Sequence, residues 1–277
     1  MKKIITFLIV LVKEFNRNEL LFIASELTYK LLLAIFPLAI CISSMFSLIN
    51  LDSYDLTFLE GLNGNAIPAE ASNTLNSIAT SINYSEPNAL NAIIYSLIFA
   101  IFSASSGFLS LIRGINKSFG IKDDRNFITR RLLSVCLLVV FLLSLIITLV
   151  LYIFGDIIIN FIISLDLFPT GIFEIYPLVS LIFTTSFVLV NIIIIFKFSS
   201  YKKIRFKNVL PGAFITLIFW ILSSQLFNVY VNNFSRYNSL YGSIGNYLIF
   251  VLWINLLAIV LLIGSQTNAI LLEKKFS

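Results

Sequence analysis

The chain has 277 residues, 58% of them hydrophobic and 12% charged, where soluble domains run at roughly 45–50% apolar and about 25% charged. Too little polar surface remains to cover a water-soluble globule. With a mean hydropathy of +0.97, soluble enzyme folds are excluded and an all-α, polytopic membrane protein is expected. The sequence holds no histidine and carries a formal charge of +5. The first fact removes His-ligated zinc, Ser-His-Asp triads and imidazole acid–base chemistry. The second points to basic loops against anionic headgroups, not to nucleic acid.

In chain order, the first predicted element is short. Lys2 and Lys3 precede an apolar run from Ile4 to Val12, too short to span a bilayer. No small-residue cleavage site follows; the chain continues Lys13-Glu14-Phe15-Asn16-Arg17, so this is not read as a signal peptide. Residues 1–19 are expected to form an interfacial amphipathic helix and residues 20–277 a single transmembrane domain. Six segments of that domain are apolar enough to cross: 20–50, 90–113, 132–155 (with a continuation through Ile157–Leu165 open), 176–197, 209–232 and 244–272. About 20 apolar residues cross about 30 Å of hydrocarbon, and the need to satisfy the backbone in lipid makes the spans helices. Within the long connection 51–89, Leu75, Ile78, Ala79 and Ile82 recur at helical spacing, which predicts an amphipathic surface helix over 69–82. Cys41 and Cys136 sit in apolar runs; they are expected to pack as small hydrophobes, with no disulfide framework.

Lys and Arg sort sharply among the connections. Seventeen of the nineteen lie at the N-terminus, in the connections after spans two and four, or at the C-terminus; Arg236 alone lies in the opposite set, and Lys30 lies within a span. The positive-inside rule then places both termini in the cytosol, in the cell membrane.

Three stretches resemble the YihY/BrkB family of bacterial membrane proteins. They are Ala24-Ser25-Glu26-Leu27-Thr28-Tyr29 running to Phe36-Pro37; Ser103-Ala104-Ser105-Ser106-Gly107 with Gly114-Ile115-Asn116-Lys117 and Arg130-Arg131; and Leu210-Pro211-Gly212 through Tyr230, Tyr241-Gly242-Ser243 and Trp253 to Gly264-Ser265-Gln266-Thr267-Asn268-Ala269. The resemblance implies six spans, a bacterial plasma membrane, envelope phenotypes and a transport role. Two positions depart from the family pattern. Lys30 stands where the family has an apolar or aromatic residue. Gln266 stands where it has Glu, which removes the acid a borrowed proton-coupled role would use. Some members carry an old label as a tRNA-processing ribonuclease. The residues here do not support it: zinc-dependent RNA cleavage wants His and carboxylate ligands, two-metal cleavage wants clustered carboxylates, and the acidic pair on the basic side is Asp123-Asp124. Glu26 is the carboxylate within a span, and Lys30 four residues on keeps it ionised instead of poised as a base. The chain is therefore read as no enzyme, without metal or cofactor.

Intramembrane polar groups are costly and each needs a reason. Glu26, Lys30, Arg113, Asn116, Gln266 and Asn268 fall at similar depth, toward the basic side. One reading is structural: a snorkelling Lys30, an anchoring Arg113 and bridging amides. The other is a polar vestibule open to the cytosol. Small residues at Ser103, Ser105, Ser106 and Gly107 favour close helix packing, with a polar path as the alternative. Pro37 is expected to bend span one, and Pro211-Gly212 to open span five, with proline in the first turn. Gly242 and Gly245 allow a tight turn or an unwound start to span six. Asn228, Asn232, Asn233 and Asn238 make an amide-rich patch on the outer side, and Tyr230, Tyr237, Tyr241 and Tyr247 read as an aromatic belt.

Two classes of function follow. The leading one is transport or translocation of a lipid or other envelope-related substrate, supported by hinge residues and polar groups at depth. The rival is a non-transporting envelope scaffold using the loop 51–89. Membrane lipids and anionic headgroups are the expected partners in either case; substrate and oligomeric state stay open.

Overall fold

The computed structural model describes residues 2–48, 89–164, 176–233 and 236–276. Those residues form seven helices and no strand: α1 (Lys2–Arg17), α2 (Leu20–Leu48), α3 (Ala89–Ser118), α4 (Phe127–Ser164), α5 (Tyr176–Ser199), α6 (Phe206–Asn233) and α7 (Arg236–Phe276). Five contain stretches long and apolar enough to cross a membrane: Leu20–Cys41, Leu90–Ser118, Phe127–Ile147, Phe206–Phe227 and Tyr247–Glu273, with a shorter apolar stretch, Thr184–Ser199, in α5. The predicted helix over 69–82 and the loop around it lie outside the described residues.

Bonds between helix ends gather one pole of the bundle. Asn18 of the α1–α2 turn donates to Gln266 of α7 at 3.0 Å. Asn116 near the end of α3 donates to the Ser199 carbonyl that ends α5. Gly212 early in α6 donates to Asn268 of α7. The basic connections 119–126 and 200–205 lie at this same pole, called the basic end below. The core sits here too: Leu20, Ile23, Ala24 and Leu27 of α2 share one buried cluster with Leu111, Ile112 and Ile115 of α3, Phe196 of α5, Val209 of α6 and Leu262 of α7. Large apolar side chains elsewhere, such as Phe22, Tyr95, Phe99 and Leu226, face outward, as expected where lipid is the solvent.

Local signals explain the helix ends at this pole. α3 stops at Gly120, whose φ of 60° suits a residue without Cβ. Gly120 N–H bonds the Lys117 carbonyl and Ile121 N–H the Asn116 carbonyl, the paired bonds of a Schellman cap. The α1–α2 elbow turns through Glu19 at φ 52°, an uncommon left-handed conformation for a residue with a side chain. α1 rests on α7 and α2 through the buried Phe15, while Ile5, Leu8, Ile9 and Val12 form an exposed apolar stripe at helical spacing.

Pro37 lies inside α2, which is helical from Leu20 to Leu48. Two backbone expectations need correction. Pro211 does not open its helix: α6 begins at Phe206, so the proline sits in the second turn. Gly242 and Gly245 start no turn and no unwound segment; both lie inside α7, which is continuous from Arg236 to Phe276. Glycine lowers helix propensity without forbidding the helix, and the apolar residues beyond Tyr247 carry it.

Candidate functional site

The site begins with an i,i+4 pair. Glu26 and Lys30 share one face of α2, and the Lys30 Nζ donates to Glu26 Oε1 at 2.5 Å. That face packs along α3 where Gly107 lets the backbones close: a Cβ there would stand 3.1 Å from Leu31. α3 supplies the remaining partners one turn apart. Ser110, fully buried, donates to Glu26 Oε1 at 3.0 Å and accepts from Lys30 at 2.8 Å. Arg113 donates to Glu26 Oε2. One carboxylate thus faces two cations, and its side chain remains 34% exposed.

The exposure opens onto a cavity of about 370 Å³. Its charged walls are Glu26, Lys30, Arg113, Lys117, Asp123 and Arg130; Leu109, Ile112 and Ile121 form an apolar side, and Asn116 completes the lining. Lys117 donates to Glu19 of the α1–α2 elbow at 2.7 Å. That hydrogen bond and the lysine's charge hold the Glu19 carboxyl below its ordinary value. Asp123 accepts from the Arg125 backbone N–H at 3.2 Å and pairs with its guanidinium at 3.7 Å. Arg130 differs: its Nε is buried and has no hydrogen-bond partner among the described residues.

Of the six residues expected to share a vestibule, Glu26, Lys30, Arg113 and Asn116 do line this cavity. Gln266 and Asn268 do not. Their depth along α7 is similar, but they project toward other neighbours: Gln266 accepts from Asn18 and Asn268 bonds α6. Asn116 is itself a clasp. It is buried, donates to Ser199 O at 2.9 Å and accepts from Tyr201 N–H at 2.7 Å. Arg125 reinforces the clasp through the Ser199 and Ser200 carbonyls, with its guanidinium over the Tyr201 ring. Ser106 accepts from Arg131 of α4 at 2.9 Å, so it ties α3 to α4. Sequence reading passed over Ser110, Glu19, Lys117, Asp123 and Arg130 as site residues. The available signal was the spacing of Ser110, Arg113 and Lys117, three and four apart on one face of α3.

Residues 11–276 match the family described as Virulence factor BrkB. The chain belongs to the BrkB family. It is similar to YfkH of Bacillus subtilis (strain 168), whose name describes it as ribonuclease-like, with 29% identity over 262 residues that cover 91% of this chain and 90% of that protein. It is also similar to the UPF0761 membrane protein NTHI0384 of Haemophilus influenzae (strain 86-028NP), 38% identical over 72 residues, and to the UPF0761 membrane protein PM1616 of Pasteurella multocida (strain Pm70), 35% identical over 72 residues. Those two matches span 26% of this chain and 27% and 23% of the relatives. No solved structure matches. Family and apolar helices together make the chain a multi-pass protein of the cell membrane.

In this BrkB-family chain the second polar region is the crossing of α6 and α7. A Cβ on Gly264 would run into Thr216 Oγ1 and the Gly212 carbonyl, and one on Gly212 into the Gly264 carbonyl and the Asn268 amide. The backbones therefore touch, and only glycine fits at either position. Asn268 accepts from Gly212 N–H at 2.6 Å and donates to Val209 O at 3.0 Å. It spans the turn in which Pro211 offers no N–H. Its two bonds fall on the residues either side of the Leu210-Pro211 step.

Proposed function

We propose that this BrkB-family protein is a six-span, N-in/C-in transporter-like protein that handles a lipid or other envelope-related substrate, with the cavity at the basic end as its cytosol-facing vestibule. The observation that carries the reading is the cavity itself: six charged side chains around about 370 Å³, on or beside apolar spans, where ionisable groups are retained for pathways and binding. α5, 24 residues long, supplies the sixth span at about 36 Å. The exposed apolar stripe of α1, flanked by Lys2, Lys3, Lys13 and Arg17, suits a helix lying among anionic headgroups. The seventeen-to-one charge split supports the orientation. A packed scaffold without transport is the rival; the cavity speaks against a solid bundle. Hydrolysis of RNA is not part of the reading: the ribonuclease-like name belongs to YfkH, and among the described residues no three His, Cys, Asp or Glu side chains cluster.

The test is purification from a native membrane with identification of co-purified lipids, followed by flux of those lipids in proteoliposomes. Retention of a defined lipid class and flux above empty liposomes are expected. Flux no higher than in empty liposomes would leave the scaffold. On a cysteine-free background, a cysteine at Asn63 should label from outside and one at Lys203 should not; the reverse pattern sinks the topology.

A further inference from the structure

Charges at the cavity do not balance. Glu26 faces two cations, Lys30 and Arg113. Lys117 is matched by Glu19, and Asp123 by Arg125, each partner standing outside the cavity wall. Arg130 lines the cavity with no ion pair among the described residues, and its buried Nε–H lacks an acceptor. The wall therefore carries two positive charges in excess. Leu109, Ile112 and Ile121 lower the local dielectric on one side and strengthen attraction for an anion.

We propose that this cavity binds a phosphate-type oxyanion carried on an organic body, gripped by Arg130 together with Arg113 and Lys117. Several donors from two helices suit a group with three or four acceptor oxygens better than a carboxylate with two. The Arg130 guanidinium lines the cavity and offers the planar geometry that matches phosphate. The cavity is larger than a bare oxyanion needs, and its apolar wall gives the organic body a surface. The ligand is either the headgroup of an anionic phospholipid or a soluble phosphate ester; the chemistry is shared. The assignment deepens the vestibule reading and rests on it for access from the cytosol.

The experiment uses the full chain in a non-ionic maltoside, with two probes: radiolabelled glycerol 3-phosphate, and phosphatidic acid in mixed micelles against diacylglycerol. Saturable binding of at least one phosphate probe is expected, with acetate failing to compete. Arg130→Gln should weaken it by about tenfold or more, the loss expected when a charge-assisted contact goes. Asp123→Asn and Glu26→Gln, which remove opposing charge, should tighten it. Lys202→Gln, equally basic but outside the wall, should leave it unchanged. Binding of glycerol 3-phosphate that phosphatidic acid does not displace identifies a soluble ester; binding of phosphatidic acid alone identifies a lipid headgroup. No saturable binding of either probe by protein with an intact melting transition overturns the site. So does equal weakening by Arg130→Gln and Lys202→Gln, which would mark diffuse attraction. Should Arg130→Gln fail to fold, the sign of the Asp123→Asn effect decides alone. Absence of binding leaves the vestibule reading to its flux assay, and binding without flux overturns that reading while the site stands.

Discussion

The α2–α3 cluster and the α6–α7 crossing both place polar groups inside a membrane bundle, and they use them in opposite ways. At the crossing the groups are buried and every bond is spent on holding backbone: Asn268 bonds either side of the Leu210-Pro211 step, and Gly212 meets Gly264 with no room for a methyl group. At the cluster the charged groups Glu26, Lys30 and Arg113 stand partly exposed beside a cavity, and cationic charge is left over. A polar residue in a span is thus not by itself evidence of a pathway. What separates the two cases is whether its hydrogen bonds close within the fold or face open space.

Substitutions should break the comparison most strongly at the crossing. Asn268→Leu removes the acceptor of the buried Gly212 N–H, at about 1–3 kcal/mol, and the bond to Val209 O, and should lower the melting temperature in detergent; a melt within a degree or two of wild type would show that the amide is not the staple. Gly264→Ala comes next, at about 1–3 kcal/mol from overpacking. Thr216→Ala should rescue it only in part, because the Gly212 carbonyl remains in the way; full rescue would locate the clash in the threonine alone. At the cluster, Glu26→Gln should move the melt little, since pairs this exposed contribute about 0–1 kcal/mol, while ligand binding changes; a collapse of stability there would make the cluster a second crossing.

The smallest effect concerns pH. Lys117 holds the Glu19 carboxyl below its ordinary value of 4.5. A lowered value means that the unfolded chain takes up the proton first as pH falls. The pair therefore stabilises above about pH 4.5 and loses that contribution as pH drops through the lowered value. Melting curves of wild type and Glu19→Gln should differ at neutral pH and converge in acid. A difference that persists in acid would assign it to the strained elbow and not to the ion pair.

Much of this was readable along the chain. Apolar runs fix the helices, and the Glu26–Lys30 pair follows from i,i+4 spacing. Arg113 was placed beside Glu26 by depth alone, because both helices end at the same pole. Gln266 and Asn268 share that depth but bond Asn18 and α6 instead, since depth along a helix says nothing about which neighbour a side chain faces. The start of α6 was misplaced because Pro211 looked like a first-turn residue, whereas the helix begins at Phe206. Arg130 read as one more positive-inside anchor, and only the packed structure separates it from Arg131, whose guanidinium is taken up by Ser106 and the Phe102 carbonyl.

The continuity of α7 has a mechanical consequence. Its 41 residues make a rod of about 60 Å, twice the hydrocarbon thickness of about 30 Å. Lying wholly within that layer would need a tilt of about 60°, beyond the 0–40° seen for membrane helices, so part of the rod extends beyond the hydrocarbon, and its apolar stretch is Tyr247–Glu273. The rod is held at Gly264, where its backbone touches α6. From that contact the helix runs about 42 Å to Arg236 and about 18 Å to Phe276, unbroken on both sides and packed against α1, α2 and α3 as well as α6.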